Sequence, residues 1–395
     1  MRILIAPDKF KGALSAREVG EAIATGLRAV LPDANIDIVP MADGGEGTAE
    51  VISQALGASW VKCQAHDPFG REIQARYGWI DERKLAVMEM SEAAGMRRLA
   101  PNELDPLRAT TFGVGEMILD SAKRGAKEIV IGLGGSATND GGFGMARALG
   151  FRFFADAKEL KDSINQVEKL TCIELPSPAA LRLPLPEREE KGEGKAQVIA
   201  VVDVKNPLLG ENGATHVFGP QKAVSPDQIP RFEAALAKLA DVVNEQFGFD
   251  YRNEAGTGAA GGLGFGLMSF CGAKIRPGFD VVAKTVGLES KMKNVDLVIT
   301  GEGSLDRQTL EGKTPAGVAR IARKLGKAIF AFVGRATDDR QVRELFDGVY
   351  QNARPKMSTE ENMKRAAELL RDNARQLAED LKRRMYQKRQ RPNAH

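Results

Sequence analysis

The chain has 395 residues, 43% of them hydrophobic and 28% charged, which describes an ordinary globular protein with room for about two domains. A net charge of +3 is too small to argue for nucleic acid, and no apolar run of about twenty residues offers a membrane span. Cys63, Cys172 and Cys271 form neither a disulfide framework nor a zinc spacing, three histidines give little scope for His-based chemistry, and MRILIAPDKF is charged too soon for a signal peptide, so a cytoplasmic protein is expected.

Arg2–Ala6 reads as an opening strand, followed by the loop Pro7–Gly12 with Lys9 and Lys11. Ser15 and Glu18 form a capping box for a helix whose apolar stripe is Val19, Ile23, Leu27, Val30 and Leu31. Ile36–Met41 is a second strand. The loop Ala42–Thr48 (ADGGEGT) follows, with Thr48 placed to cap the next helix. This β-loop-α alternation implies a parallel sheet, whose ligands bind at the carboxyl ends of the strands. From about Trp60 to Ser91 the pattern becomes a meander of short strands, with a turn at Asp67–Gly70. A helix is expected around Phe112–Lys123.

Ile129–Gly150 (IVIGLGGSATNDGGFGMARALG) reads as a strand, a Gly-rich turn and a helix. Such a turn presents backbone N–H groups to an anion, most often a phosphate, and Asp140 adds a carboxylate suited to Mg²⁺ or a substrate hydroxyl. Two other readings stay open. GLGGSA with Asp156 about twenty residues on formally matches a dinucleotide fingerprint, although Thr138–Gly142 delays the helix. The turn also suits plain packing of helix on sheet. Pro176–Lys195 is rich in Pro, Glu and Lys and reads as a solvent loop. Gln197–Val202 is a strand leading to Asp203–Ala214, a helix covers about Pro226–Phe247, and Gly256–Gly266 reads as another glycine loop. In the last third Asp296–Thr300 is a strand, Gly301–Asp306 (GEGSLD) a loop, and Thr314 with Pro315 starts a helix. Ala328–Val333 is a strand and Thr359–Lys382 an amphipathic helix. Beginning and end are alike while the middle differs. The expectation is therefore α/β: a Rossmann- or flavodoxin-like parallel-sheet domain (1–65 plus 285–395) with a second, mixed α/β domain (66–284) inserted and the active-site cleft between them.

Glycine-acid loops recurring at strand ends suggest a phosphate-rich ligand. Walker A is absent, because Arg307 occupies its first glycine position ahead of Gly312-Lys313-Thr314. The motifs PDKFKG-ALSA, MADGGEGT, DPFGR, GLGGSATNDGG-GMARALG, NPLLGENGA-FGPQK, GAAGGLGFG and DLVITGEGSLDRQTLEGKTPAGVA together resemble the type 1 glycerate kinases, from Met1 to about Gly326 and weakly to Leu381. The resemblance implies phosphorylation of a D-glycerate hydroxyl with ATP and Mg²⁺, usually to 2-phosphoglycerate. Charge and hydropathy lead to no expected nucleic-acid or membrane partner, and a homodimer stays open. The chemistry is then distributed over the residues. Gly134, Gly135, Ser136 and Thr138 form a phosphate cradle and Lys313 a cation on phosphate. Asp140 or Asp203 is the general base. Asp43, Glu46 or Glu302 hold the metal, and Lys9, Lys11 and Arg71 hold phosphate or the glycerate carboxylate. Each also has a plain structural reading: turn closure for Asp43 and Asp203, loop-amide bonds for Glu46 and Glu302, a hairpin brace for Arg71, solvation for the lysines.

Three features depart from the family pattern: Ala223 where Gly is usual, Lys205 where Asp is common, and a longer loop at Pro184–Lys195. The alternatives to a kinase are a catalytically inactive nucleotide or glycerate sensor and a dinucleotide-binding oxidoreductase. The tail Lys382–His395 carries six Lys or Arg residues between 382 and 391 and reads as a frayed, solvated helix end.

Overall fold

The computed structural model describes residues 1–100, 102–160, 164–176 and 196–390. Most of the Pro176–Lys195 loop and the last residues of the basic tail thus lie outside the described residues. The chain forms two compact units, Met1–Asp43 together with the segment from Phe279 onward, and Gly44–Gly278. The division falls earlier than residue 65 because the strand at 59–66 pairs within the second unit.

The first unit opens with β1 (Arg2–Pro7) and β2 (Asn35–Ile38). The second contains β3 (Ser59–His66), β4 (Glu72–Ile80), β5 (Leu85–Glu89), β6 (Glu128–Gly132), β7 (Arg152–Ala155), β8 (Lys158–Leu160), β9 (Cys172–Glu174), β10 (Gln197–Val202) and β11 (Lys274–Pro277). The chain returns to the first unit with β12 (Leu297–Leu305), β13 (Ala328–Ala336) and β14 (Gly348–Gln351). The first unit's sheet runs β14-β13-β12-β1-β2 with every pair parallel. The second unit's larger sheet runs β11-β10-β6-β5-β4-β3, antiparallel through β3-β4-β5 and parallel from β5 to β11. A small antiparallel sheet, β8-β7-β9, completes it.

β1, β6 and the first half of β12 are nearly continuous apolar runs, as strands covered on both faces require. The helix Ala16–Arg28 carries the expected capping box of Ser15 with Glu18 and packs Val19, Ile23 and Leu27 into a core with Ile3, Ile5 and the C-terminal helix residues Leu370 and Leu377.

Two expected loops take other forms. GEGSL continues β12, with Gly301 through Leu305 in parallel register with β13, so Glu302 sits on a strand. The stretch Gly256–Gly266 is largely the buried helix Ala259–Cys271, entered through left-handed angles at Ala260, Gly261 and Gly262. Its glycines let another backbone touch it. The Gly141 N–H donates to the Gly261 carbonyl at 3.0 Å, and a Cβ on Gly261 would lie 2.0 Å from the Thr138 carbonyl oxygen. Among the described residues no helix is long and apolar enough to cross a membrane.

Candidate active site

The first unit gathers carboxylates at the carboxyl edge of its parallel sheet, where such sheets bind ligands. Asp8 follows β1 directly, and its N–H donates to the Gly301 carbonyl of β12 at 2.8 Å. One of its oxygens accepts from the Lys9 N–H (2.7 Å) and the other from the Thr314 hydroxyl (2.6 Å). Glu302 accepts from the Thr309 hydroxyl at 2.8 Å. Met41, bonded through its N–H to the Pro7 carbonyl at 2.8 Å, leads the chain to Asp43 on the same edge. Asp8 and Glu302 are each 7% exposed. Burial, with the charge of Asp43 behind it, pushes the Asp8 carboxyl up to about 7. Burial pushes Glu302 up to about 8, with smaller contributions from Asp8 and Asp43, while Lys313 acts in the opposite sense. Lys9 likewise favours the Asp8 carboxylate.

The structure therefore brings Lys9, Asp43, Glu302 and Lys313 together around Asp8. Asp8 escapes the sequence reading because PDKFKG draws attention to its lysines, although a carboxylate one residue past a parallel strand is itself a signal. Thr314 is the first helical residue and Lys313 the cap position, and the Thr314 hydroxyl is used on Asp8 rather than on its own helix. Lys11 is exposed, and Glu46 is exposed in the other unit.

Two buried carboxylates, Asp8 and Glu302, with the half-buried Asp43 close enough to raise both, suit a cation. Among the described residues no group of three His, Cys, Asp or Glu side chains is placed to enclose a metal. Mg²⁺ asks for less, since one or two carboxylates, several waters and substrate phosphates suffice.

The glycine-rich turn of the second unit differs from its expected role. The helix after it is Phe143–Ala148, and the anion at its start is Asp140 itself. Asp140 is 1% exposed and accepts four hydrogen bonds: from the Thr111 N–H and hydroxyl, both at 2.9 Å, and from the Gly142 and Gly144 N–H groups, both at 3.1 Å. Burial raises its pKa, and these four donors oppose the rise. Both oxygens are thus engaged in hydrogen bonds with the loops around them.

Thr138 is fully buried, and its carbonyl accepts the Lys222 ammonium at 2.7 Å. Asn139 donates to the Thr215 hydroxyl at 3.0 Å. Lys222, which the sequence reading passes over, is 1% exposed; burial drives its pKa down to about 7, against the pull of Asp140. Ser136 is buried and Gly135 exposed, while Gly134 packs on the ADGGEGT loop. A Cβ on Gly134 would lie 2.6 Å from the Gly45 Cα. The fingerprint for a dinucleotide has no turn running straight into a helix here, and Asp156 occupies the β7–β8 turn with φ 52°.

The cap expected from Thr48 also comes from elsewhere. Thr48 donates its hydroxyl back to the Gly45 carbonyl (2.7 Å), and Glu89 at the end of β5 accepts the Gly47 and Ala49 N–H groups at 2.6 and 3.1 Å. Asp203 stands exposed at the carboxyl end of β10. Arg71 braces its turn, held by Asp67 and, at 3.0 Å, by Glu103.

The model of the glycerate kinase family matches residues 3–382. The chain is 40% identical over 341 residues to the glycerate 2-kinase of Escherichia coli K12, covering 86% of each chain. It is 37% identical over 379 residues to the glycerate kinase of Halalkalibacterium halodurans, covering 95% of this chain and 97% of that one. A crystal structure of a protein described as glycerate kinase 2 from Salmonella typhimurium LT2 aligns with TM-score 0.82 and 38% identity, over 98% of this chain and 99% of that one. An α/β chain matched over nearly its whole length by this family, with a carboxylate cluster at a parallel sheet's carboxyl edge, belongs to the glycerate kinase family and is a kinase.

Proposed function

We propose that the protein transfers the γ-phosphoryl group of ATP to D-glycerate, with Mg²⁺, giving 2-phosphoglycerate. The observation that carries this reading is the Asp8–Asp43–Glu302 cluster with Lys9 and Lys313 beside it. Phosphoryl transfer is catalysed chiefly by positioning and by stabilising charge on the transferred group. Asp43 and Glu302 would hold Mg²⁺, which when bound neutralises charge on the phosphate oxygens. Asp8 is fixed by Thr314 and orders the cluster, and Lys313 and Lys9 supply positive charge to the phosphates. Asp203, exposed where Asp140 is spent, is the proton acceptor for the attacking hydroxyl. The name of the Escherichia coli relative, glycerate 2-kinase, supports the 2-phospho product.

The test is ADP release with and without D-glycerate and Mg²⁺, the product being read by proton-coupled ³¹P NMR. A doublet marks the 2-phosphate and a triplet the 3-phosphate. Asp203→Asn should lower kcat at least about a hundredfold. Folded protein that releases no ADP in response to D-glycerate would sink the proposal.

A further inference from the structure

The second unit holds an open cavity of about 720 Å³ between the turn Phe69–Arg71, the stretch Asn102–Arg108, and residues Ala223 and Gln228. That size lies within the range of small-molecule sites, about 300–1,000 Å³. Its two cations differ. Arg71 is committed to Asp67 and Glu103, and the second Glu103 oxygen is taken by the Ala100 N–H at 2.8 Å. The Arg108 guanidinium lies over the Phe69 ring, 5.2 Å from its centroid, and among the described residues it forms no hydrogen bond or ion pair. Stacking of this kind holds the guanidinium plane while leaving its N–H edge available.

Asp105 complements it. The Arg108 and Ala109 N–H groups both donate to the Asp105 carbonyl, at 3.2 and 2.9 Å, so one tight turn places both residues in the cavity wall. One Asp105 carboxylate oxygen accepts the Leu107 N–H at 3.1 Å, and the other has no partner among the described residues. Asp105 and Arg108 do not pair with each other, so a single turn offers a forked donor for a carboxylate and an acceptor for a hydroxyl.

The geometry points to this cavity as the seat of a small hydroxy acid, with Arg108 binding its carboxylate through the guanidinium edge and Asp105 accepting a hydrogen bond from its hydroxyl. This rests on the glycerate reading above and adds the groups that recognise the acid: Arg108, not Arg71, is the carboxylate partner. The site is chemically distinct from the carboxylate cluster of the first unit, which handles phosphate and metal.

Two measurements test it. In steady-state kinetics Arg108→Ala should raise the KM for D-glycerate at least about tenfold, with kcat and the KM for ATP within about twofold. Arg108→Lys keeps the charge but not the fork and should recover only part of the loss. Asp105→Asn should raise the same KM about threefold to tenfold. Saturation-transfer NMR of D-glycerate, without ATP, should show binding to the wild type that Arg108→Ala abolishes. A wild-type KM in Arg108→Ala, or undiminished saturation transfer, overturns the proposal while leaving the kinase reading intact. Binding that is lost in Arg108→Ala, in a wild type that never releases ADP, sinks the kinase reading and supports the cavity.

Discussion

Asp140 and Asp8 are both buried carboxylates in loops that follow a parallel strand, yet their surroundings assign them opposite work. Asp140 has four donors and the Lys222 ammonium as its charged neighbour. Asp8 has two donors, and its charged neighbours are of both signs, with the carboxylate of Asp43 outweighing Lys9. A buried charge whose lone pairs are filled stabilises the loop around it; one that shares a dry site with like charges holds electrostatic energy that a cation can release. Burial alone therefore does not separate the two carboxylates. The number of donors and the charges of the neighbours do.

The contrast can be broken most directly at Asp140. Asp140→Ala leaves four donors and the Lys222 charge without their partner, and it should cost about 3–5 kcal/mol of unfolding free energy in urea titration. A loss within about 1 kcal/mol would move Asp140 out of the structural class. Asp8→Asn should do the reverse, lowering kcat at least about a hundredfold while stability at pH 8 holds or rises. The sign follows from linkage. The Asp8 carboxyl lies at about 7 in the folded protein against 3.8 ordinarily, so its ionisation destabilises the fold as pH rises from about 4 through 7, and Asn removes that loss. A variant that unfolds as readily as Asp140→Ala would put Asp8 with the structural carboxylates.

Lys222 sharpens the comparison from the cationic side. Its pKa falls from 10.5 to about 7 in the fold, so the unfolded chain binds the extra proton between those values. Stability should rise with pH across that window, by up to about 1.4 kcal/mol per pH unit, and Lys222→Met should flatten the rise. Unfolding curves at pH 7, 8.5 and 10 decide it. The smallest effect is at Ala223, which holds φ 67° where the family pattern has glycine. Ala223→Gly should stabilise the protein by about 1 kcal/mol in thermal unfolding, and a destabilised variant would show that the methyl group is packed usefully.

What could be read from the sequence was local. The Ser15–Glu18 capping box, the helix Phe112–Lys123 and the strand Gln197–Val202 all depend on residues a few places apart, and the structure has them where expected. The misreadings involve partners distant in the chain. Glycine in GEGSL suggested a loop, but β13 supplies the partner that makes it a strand. Thr48 looked like a cap, but the carboxylate that does the capping is Glu89, forty residues away. In the first unit, residue type and strand-end position pick out Asp43, Glu302, Lys9 and Lys313, which the fold gathers around Asp8. The division of labour between Asp8 and Asp140 was not legible, because it depends on hydrogen-bond donors that the fold brings in from Thr111 and Thr314.

The pairing of β1 with β12 has a consequence in time as well as in space. Ile3 lies opposite Leu297 and Ala6 opposite Thr300, with the whole second unit between them in the chain. On a ribosome adding about 5–20 residues per second, Asp8 emerges roughly 15–60 s before the glutamate it must face. Until then β1 has no partner at its centre-facing edge, and no fragment ending at the second unit can assemble the carboxylate cluster.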